Sequence, residues 1–132
     1  MKVTVDTNIL VRAVVHDDAA QAKAADKLLR ESEVVAVSAT SLCEFVWVLR
    51  RVYGFGPGDV IEAIAALLDA ANVVADRPAV DAGLSVLKAG GDFADSLIAH
   101  DGAWLGGETF ISFDKQAVSM LLEQGQRAEL LA

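Results

Sequence analysis

Four acidic residues occupy positions at which carboxylates often do chemistry in α/β proteins; they are Asp6, Glu44, Asp95 and Asp114. Asp6 and Asp114 directly follow runs predicted to be strands, at 3–5 and 109–113. Ligands bind beyond the carboxyl ends of parallel strands, so we expect both side chains to face one cleft. Carboxylates gathered without a cation raise one another's pKa values, whereas Mg²⁺ prefers oxygen ligands of this kind. The sequence therefore predicts a pocket in which the four acids bind metal, with two ions.

A pocket of this kind is suited to in-line phosphoryl displacement. One ion turns a bound water into a nucleophile, and the other stabilises the leaving oxygen. We therefore expect phosphodiester hydrolysis that leaves 5′-phosphate and 3′-hydroxyl ends. Asp6 and Asp114 also have a purely structural interpretation, because aspartate is a favoured N-cap for a helix that follows it.

Glu44 lies in the most apolar predicted helix, 40–53. The helix carries one broad apolar stripe, formed by Leu42, Phe45, Val46, Leu49 and Val52. Glu44 lies off this stripe, on a flank with Trp47, Val48 and Arg51. A carboxylate amid so much apolar surface is costly unless it is paired or bound to metal. The alternative is a solvent-facing glutamate that forms an ion pair with Arg51.

Asp95 lies at the start of the predicted helix 94–103, shortly after the glycines at 90 and 91. The free N–H groups and the dipole at a helix N-terminus favour a carboxylate there. Asp92 precedes Asp95 by three residues, so the two could instead be an N-cap and its N3 partner. Asp95 is therefore predicted as a ligand, and the role of Asp92 stays open.

Short β-branched runs alternate with helical patterns along the chain. Strands are predicted at 3–5, 33–37, 72–75 and 109–113, and helices at 19–31, 40–53, 59–71, 80–88, 94–103 and 115–123. This alternation predicts an α/β fold in which a parallel sheet has helices on both sides. A chain of 132 residues is the usual size of one domain, so we expect a single domain over 1–132.

The composition of the chain gives evidence about its binding partners, both protein and nucleic acid. Hydrophobic residues make up 54% of the chain, a surplus that favours a subunit interface or an obligate partner. The formal net charge is −8, which argues against a nucleic-acid binder held by a basic face. Bound divalent cations would reverse the local field in an acidic pocket. The charge objection to a nucleic-acid substrate stays open at this point.

The sequence also gives evidence about the cellular compartment of the protein. The chain begins with a predicted strand and an acid rather than with an apolar signal segment. Its most apolar stretches, 42–49 and 61–75, contain acids and are shorter than the ~20 residues that a membrane span needs. One cysteine, Cys43, allows no disulfide within the chain. We expect a cytoplasmic protein with no membrane segment.

The four acids stand in motifs that together resemble PIN-domain nucleases, and in particular the bacterial VapC toxins. The motifs are Asp6-Thr7-Asn8, a helix carrying Glu44, Phe93-Ala94-Asp95-Ser96-Leu97-Ile98-Ala99, and Ser112-Phe113-Asp114-Lys115. Each motif is weak alone, but their order and spacing within a chain of this length are fairly specific. The resemblance extends from about residue 1 to about residue 120.

The resemblance implies a three-layer α/β/α sandwich with a central, mostly parallel sheet of four to five strands. It implies that Asp6, Glu44, Asp95 and Asp114 form the catalytic acidic site for Mg²⁺ or Mn²⁺, with Thr7 or Asn8 as polar support near Asp6. It further implies an endoribonuclease toxin of a toxin–antitoxin pair, with RNA as substrate, a homodimer, and an antitoxin protein that blocks the site.

Two other hypotheses remain open. The first is an acidic-pocket phosphotransfer or phosphatase-like α/β protein with Asp6 as phospho-acceptor, although Asn8 stands where such phosphatases usually have a second aspartate. The second is a non-catalytic partner-binding module whose acids only cap helices. In that case removing a cap costs about 1 kcal/mol of stability and changes no activity.

Two residues near Glu44 have alternative interpretations. The ring of Trp47 could stack on a nucleic-acid base, or it could be buried or belong to an interface. Arg51 could contact a phosphate, or it could be a cation favoured by the dipole near a helix C-terminus.

Overall fold

The structure is a computed structural model that describes residues 1–132, and these form two compact units, Met1–Asp76 and Arg77–Ala132. The first unit contains β1 (Lys2–Thr4), α1 (Thr7–Val14), α2 (Ala19–Glu31), β2 (Val34–Ala36), α3 (Ala39–Arg51), α4 (Pro57–Asp69) and β3 (Val73–Val74). The second contains α5 (Arg77–Lys88), α6 (Phe93–Trp104), β4 (Phe110–Ser112), α7 (Lys115–Glu123) and β5 (Ala128–Leu130).

The first unit has a three-stranded parallel sheet in the order β1-β2-β3. Val3 is opposite Val35, and Val35 is opposite Val73. The ladder continues one residue past β1, since the N–H of Val5 donates to the carbonyl oxygen of Ala36 at 3.3 Å. Asp6 is therefore the first residue beyond this extended ladder, as the sequence predicts.

Helix α3 buries the apolar stripe that its sequence predicts, with one exception. Leu42, Phe45, Val46 and Leu49 are all buried, and α3 packs against α1 and α4. Val52 was included in the stripe, but its side chain is 61% exposed. This part of the prediction is wrong because α3 ends at Arg51 and Val52 is its C-cap.

The second unit is built on close packing of α5 against α6. A Cβ atom at Gly83 of α5 would lie 2.6 Å from Leu97 Cδ1 and 2.7 Å from Phe93 Cε2, so a larger residue there would force these buried side chains to move. A second cluster joins α5, α7 and β5 through Val86, Val118, Leu121 and Ala128. Strands β4 and β5 pair in parallel. These contacts fix the first turn of α6, where Asp95 lies.

The structure contains all four predicted strands and all six predicted helices, and it adds α1 and β5. Helix α1 has a β-branched and aliphatic composition (Ile9, Val11, Val14) that does not distinguish a helix from a strand. Strand β5 is three residues long and only Ala128 in it is buried, so it leaves no alternating pattern. None of the helices is long and apolar enough to cross a membrane.

Candidate functional site

Asp6 is the N-cap of α1. Its Oδ1 accepts hydrogen bonds from the backbone N–H groups of Asn8 at 3.1 Å and Ile9 at 3.4 Å. The capping interpretation is therefore confirmed for this residue. Both bonds use the same oxygen, so the cap orients the carboxylate and leaves Oδ2 available to a ligand.

Glu44 lies on the exposed flank of α3, and its carboxylate is held by a neighbour of Asp6. The Thr7 hydroxyl donates to Glu44 Oε2 at 2.9 Å, which connects the first residue of α1 to α3. The ion pair between Glu44 and Arg51 that the sequence allowed is not formed. Thr7 thus supports Glu44 rather than Asp6, while Asn8 supports Asp6 through its backbone N–H.

In the second unit, three carboxylates line one small cavity of about 130 Å³. They belong to Asp92, Asp95 and Asp114. Asp92 is the N-cap of α6, and its Oδ1 accepts the N–H of Ala94 at 3.0 Å. Asp114 is the N-cap of α7, and its Oδ1 accepts the N–H groups of Gln116 and Ala117 at 2.9 and 3.2 Å. Two helix N-termini therefore present carboxylates to the same space.

Asp95, in the first turn of α6, is the acid whose protonation this arrangement alters. Partial burial raises its pKa, and the negative charges of Asp92 and then Asp114 raise the pKa further. Asp95 and Asp114, two of the four residues selected from the sequence, are thus close enough to influence each other electrostatically. The sequence left the role of Asp92 open; in the structure Asp92 is the N-cap of α6 and also lines the cavity.

The wall of this cavity includes residues that the sequence did not single out as functional. Gln116 lines the cavity, and its Nε2 donates to the carbonyl oxygen of Gly90 at 3.3 Å. A Cβ atom at Gly91 would lie 2.6 Å from Val86 Cγ1 and 3.0 Å from Met120 Cγ, so glycine lets this loop pack closely. The glycine pair at 90–91 was the one sequence feature that pointed to a tight loop beside the cavity. No sequence feature indicated that Gln116 would line it.

The donor set of this cavity fits a divalent cation such as Mg²⁺ or Mn²⁺. The acidic groups are carboxylates, which are hard oxygen ligands, and a cation bound to one or two of them would offset the partial burial and the repulsion that raise the pKa of Asp95. No group of three or more His, Cys, Asp or Glu side chains lies close enough together to hold an ion. A metal bound by one or two of these carboxylates would complete its shell with water or phosphate oxygens, as Mg²⁺ usually does.

A larger cavity, of about 690 Å³, lies in the first unit and contains none of the four candidate acids. Its lining is mostly apolar and comes chiefly from α1 and α4, with Leu10, Phe45 and Phe55 among the large side chains. Asp59 and Glu62 are its acidic lining residues. This cavity is therefore chemically distinct from the acidic one in the second unit.

The family model of the PIN domain matches residues 3–120, which include Asp6, Glu44, Asp95 and Asp114. No curated protein is similar enough to the chain to be matched with it. The family match, together with the seven helices and the parallel strands, confirms the predicted α/β fold class, the three-layer PIN fold. The chain therefore belongs to the PIN-domain family, whose members are generally nucleases.

Proposed function

We propose that this chain is a metal-dependent endoribonuclease and the toxin of a toxin–antitoxin pair. The observation that supports this most is the cavity in which Asp95 lies with Asp92 and Asp114. Three carboxylates around a small space destabilise one another unless a cation is present. PIN domains usually bind divalent metals, so the electrostatics of the cavity agree with the family.

Asp6, Glu44, Asp95 and Asp114 are the residues that we propose as metal-ligating and catalytic. Bound Mg²⁺ or Mn²⁺ would supply an activated water and neutralise charge on the leaving oxygen of a phosphodiester. The caps formed by Asp6 and Asp114 are compatible with this role, because each uses only Oδ1.

Several contacts within the chain would position these acids. The Thr7 hydroxyl fixes the orientation of Glu44, and the N-terminal N–H groups of α1 and α7 hold Asp6 and Asp114. Hydrogen bonds of this kind restrict the rotamers of ligating carboxylates. The chain thus contributes orientation and charge, while the bond-breaking chemistry depends on the bound ion.

Inducible expression of the wild type and of Asp6→Asn, with sequencing of RNA 5′-phosphate ends, tests this proposal. We expect growth arrest and discrete new ends with the wild type alone. Purified protein should produce the same cuts with Mg²⁺ and none with EDTA. Equal RNA profiles for both proteins, with both soluble and free of a partner, would contradict a nuclease and favour a binding or phosphotransfer role.

The toxin role requires an antitoxin, and the apolar cavity of the first unit supports a protein partner. Its apolar lining with Asp59 and Glu62 suits an amphipathic segment that carries basic residues. A genomic library should yield a protein that rescues growth during induction. Ala63→Arg, which introduces a cation into the cavity lining, should abolish rescue and leave RNA cleavage unchanged. Rescue that persists in this variant would contradict the assignment of the cavity.

The proposed homodimer is supported by apolar side chains on the surface of the second unit. Trp104 is 80% exposed and Leu105 is 90% exposed, at the end of α6. Adjacent exposed apolar side chains favour a protein interface. Sedimentation of the wild type and of a Trp104→Ala, Leu105→Ser double variant tests this, with a dimer expected for the wild type alone.

The proposed site of action is the cytoplasm, where the RNA substrate is found.

A further inference from the structure

Three helix ends meet at the acidic cavity of the second unit. Its lining comes from the turn after α5, from the first turn of α6 and from the first two turns of α7; it includes Gly91, Asp92, Asp95, Asp114, Gln116 and Met120. When ionised, the three carboxylates repel one another. Contacts in the wall of the cavity therefore hold α7 beside the other two helix ends against this repulsion.

The turn after α5 is a fixed part of this wall. The N–H of Gly90 donates to the carbonyl oxygen of Leu87 at 3.1 Å, and the N–H of Gly91 donates to that of Val86 at 2.8 Å. Gly90 has a φ of 96°, in the left-handed region that favours glycine. Hydrogen bonds of this pattern close the C-terminal end of a helix. The carbonyl group of Gly90 therefore has a defined orientation.

Helix α7 contacts this turn at two positions, Gln116 and Met120. The Nε2 of Gln116 donates to the carbonyl oxygen of Gly90 at 3.3 Å. A Cβ atom at Gly91 would lie 3.0 Å from Met120 Cγ, so the Met120 side chain packs closely on the turn. Side chains four residues apart lie on the same face of a helix. Helix α7 is thus attached to the turn by a polar contact near its N-terminus and by an apolar contact one turn later.

Gln116 is also bonded to one of the candidate acids. Its backbone N–H donates to Asp114 Oδ1 at 2.9 Å, while its side chain reaches Gly90, two residues before Asp92. One residue therefore connects the carboxylate of Asp114 to the turn that leads into α6. Gln116 is exposed, and substitutions at exposed positions usually change the stability of a fold little. The main consequence of its side-chain bond is the spacing of the carboxylates.

We propose that Gln116 is a positioning residue that fixes the spacing of Asp114 from the acids of α6 and thereby favours Mg²⁺ over Ca²⁺. Mg²⁺ requires near-octahedral geometry with oxygens at about 2.0–2.1 Å, whereas Ca²⁺ accepts more oxygens at about 2.3–2.6 Å in flexible arrangements. A cavity of about 130 Å³ whose wall is held in place discriminates against the larger ion. The inference rests on the proposed function and deepens it, because it names a residue that selects the cation.

Direct metal binding tests this role without RNA and without cleavage. The full chain is freed of metal with EDTA, dialysed and titrated with Mn²⁺, whose unbound form is counted by its EPR signal. Mg²⁺ and Ca²⁺ are then added as competitors. Gln116→Leu keeps a side chain of similar size and removes the donor to Gly90. Gln124→Leu is the matched control, because Gln124 is an exposed glutamine at the opposite end of α7.

The expected result is a change in the preference between ions. Gln116→Leu should bind Mn²⁺ and Mg²⁺ about 10-fold more weakly, the lower end of the effect of losing a supporting hydrogen bond. Its affinity for Ca²⁺ should change less than about 3-fold, because a less constrained wall adapts to the larger ion. Gln124→Leu should match the wild type. In EDTA, the Tm of both variants should lie within about 3 °C of the wild-type value.

The preference between ions separates a positioning role from a structural one. An equal loss of affinity for all three ions, together with a large fall in Tm, would mean that Gln116 only stabilises the fold, and the proposal would be wrong. Unchanged binding by Gln116→Leu would also overturn it, and cleavage of RNA by the wild type would then leave the nuclease standing. A preference that depends on Gln116, in a chain that cuts no RNA, would keep the role of Gln116 and overturn the nuclease. A wild-type chain that binds none of the three ions would overturn both proposals.

Discussion

The two units of the chain both use helix N-caps to hold candidate acids, Asp6 and Asp114, but they differ in the surroundings of Asp95. In the first unit, Asp6 and Glu44 each accept hydrogen bonds, from backbone N–H groups and from the Thr7 hydroxyl. In the second unit, Asp95 lies in a partly buried position near two other carboxylates, and its pKa is raised. The bonds of the first unit orient their carboxylates, whereas the second unit places Asp95 where folding disfavours its charge. Cation binding should therefore stabilise the second unit more directly than the first.

The largest effect that we predict is on activity, and it concerns Asp95. Asp95→Asn should reduce RNA cleavage more than about 100-fold, because loss of a metal ligand exceeds the 10- to 100-fold effect of losing a supporting residue. The variant should remain folded, since the first turn of α6 keeps its N-cap, Asp92. Cleavage of a defined RNA at saturating Mg²⁺ measures this.

Asp101→Asn is the matched control for this variant, because it makes the same charge change on an exposed position of the same helix. It should cleave like the wild type. Equal activity of the two variants, whether both fall or neither does, would remove Asp95 from the proposed site.

Removing the Thr7 hydroxyl, in the first unit, should have a smaller effect than Asp95→Asn, and this effect should be on metal affinity. Thr7→Val removes the hydroxyl that donates to Glu44 Oε2 and keeps the side-chain shape. We expect the Mg²⁺ concentration for half-maximal cleavage to rise roughly 10- to 100-fold, the usual effect of losing a supporting hydrogen bond. Thr7→Ser retains a hydroxyl and should behave like the wild type. If Thr7→Val has the same Mg²⁺ dependence as the wild type, the bond does not position Glu44.

The sequence predicted the elements with a strong local pattern and left out those without one. The stripe of α3 was predictable because Leu42, Phe45, Val46 and Leu49 recur at helical spacing. Helix α1 was not predicted, since its apolar residues fit a strand equally well. Strand β5 is defined by its pairing with β4, a contact between distant positions that no local pattern encodes.

The same distinction between local pattern and tertiary contact applies to the candidate acids. Asp6 and Asp114 were identifiable because each directly follows a predicted strand, and both are also N-caps. The support of Glu44 by Thr7, 37 positions earlier in the chain, depends on how α1 packs against α3. The approach of Gln116 to Gly90 likewise depends on tertiary packing, so local spacing could not reveal it.

The two roles of Asp6 can be separated by a pair of substitutions. Asn is as good an N-cap as Asp, so Asp6→Asn should keep the free energy of unfolding near the wild-type value, whereas Asp6→Ala should lower it by about 1 kcal/mol. Both variants should lose cleavage, because both remove the carboxylate charge. Urea denaturation with EDTA present measures the stability difference. Full cleavage by Asp6→Asn, with destabilisation in Asp6→Ala, would mean that Asp6 is only a cap.

The smallest predicted effect is a dependence of stability on pH that belongs to the second unit. The pKa of Asp95 is raised in the folded protein, so its contribution to stability is fully present below the ordinary aspartate pKa of about 3.9 and is lost as pH rises through the folded-state pKa. Asp95→Asn has no carboxyl group to ionise, so it does not lose stability in this way as pH rises. In EDTA, its Tm should therefore exceed that of the wild type at pH 7, and the difference should shrink at pH values below about 3.9. Asp101→Asn is again the control. A Tm at pH 7 that is lower for Asp95→Asn than for the wild type would mean that the Asp95 carboxylate stabilises the fold, and the contrast between the two units would then not hold.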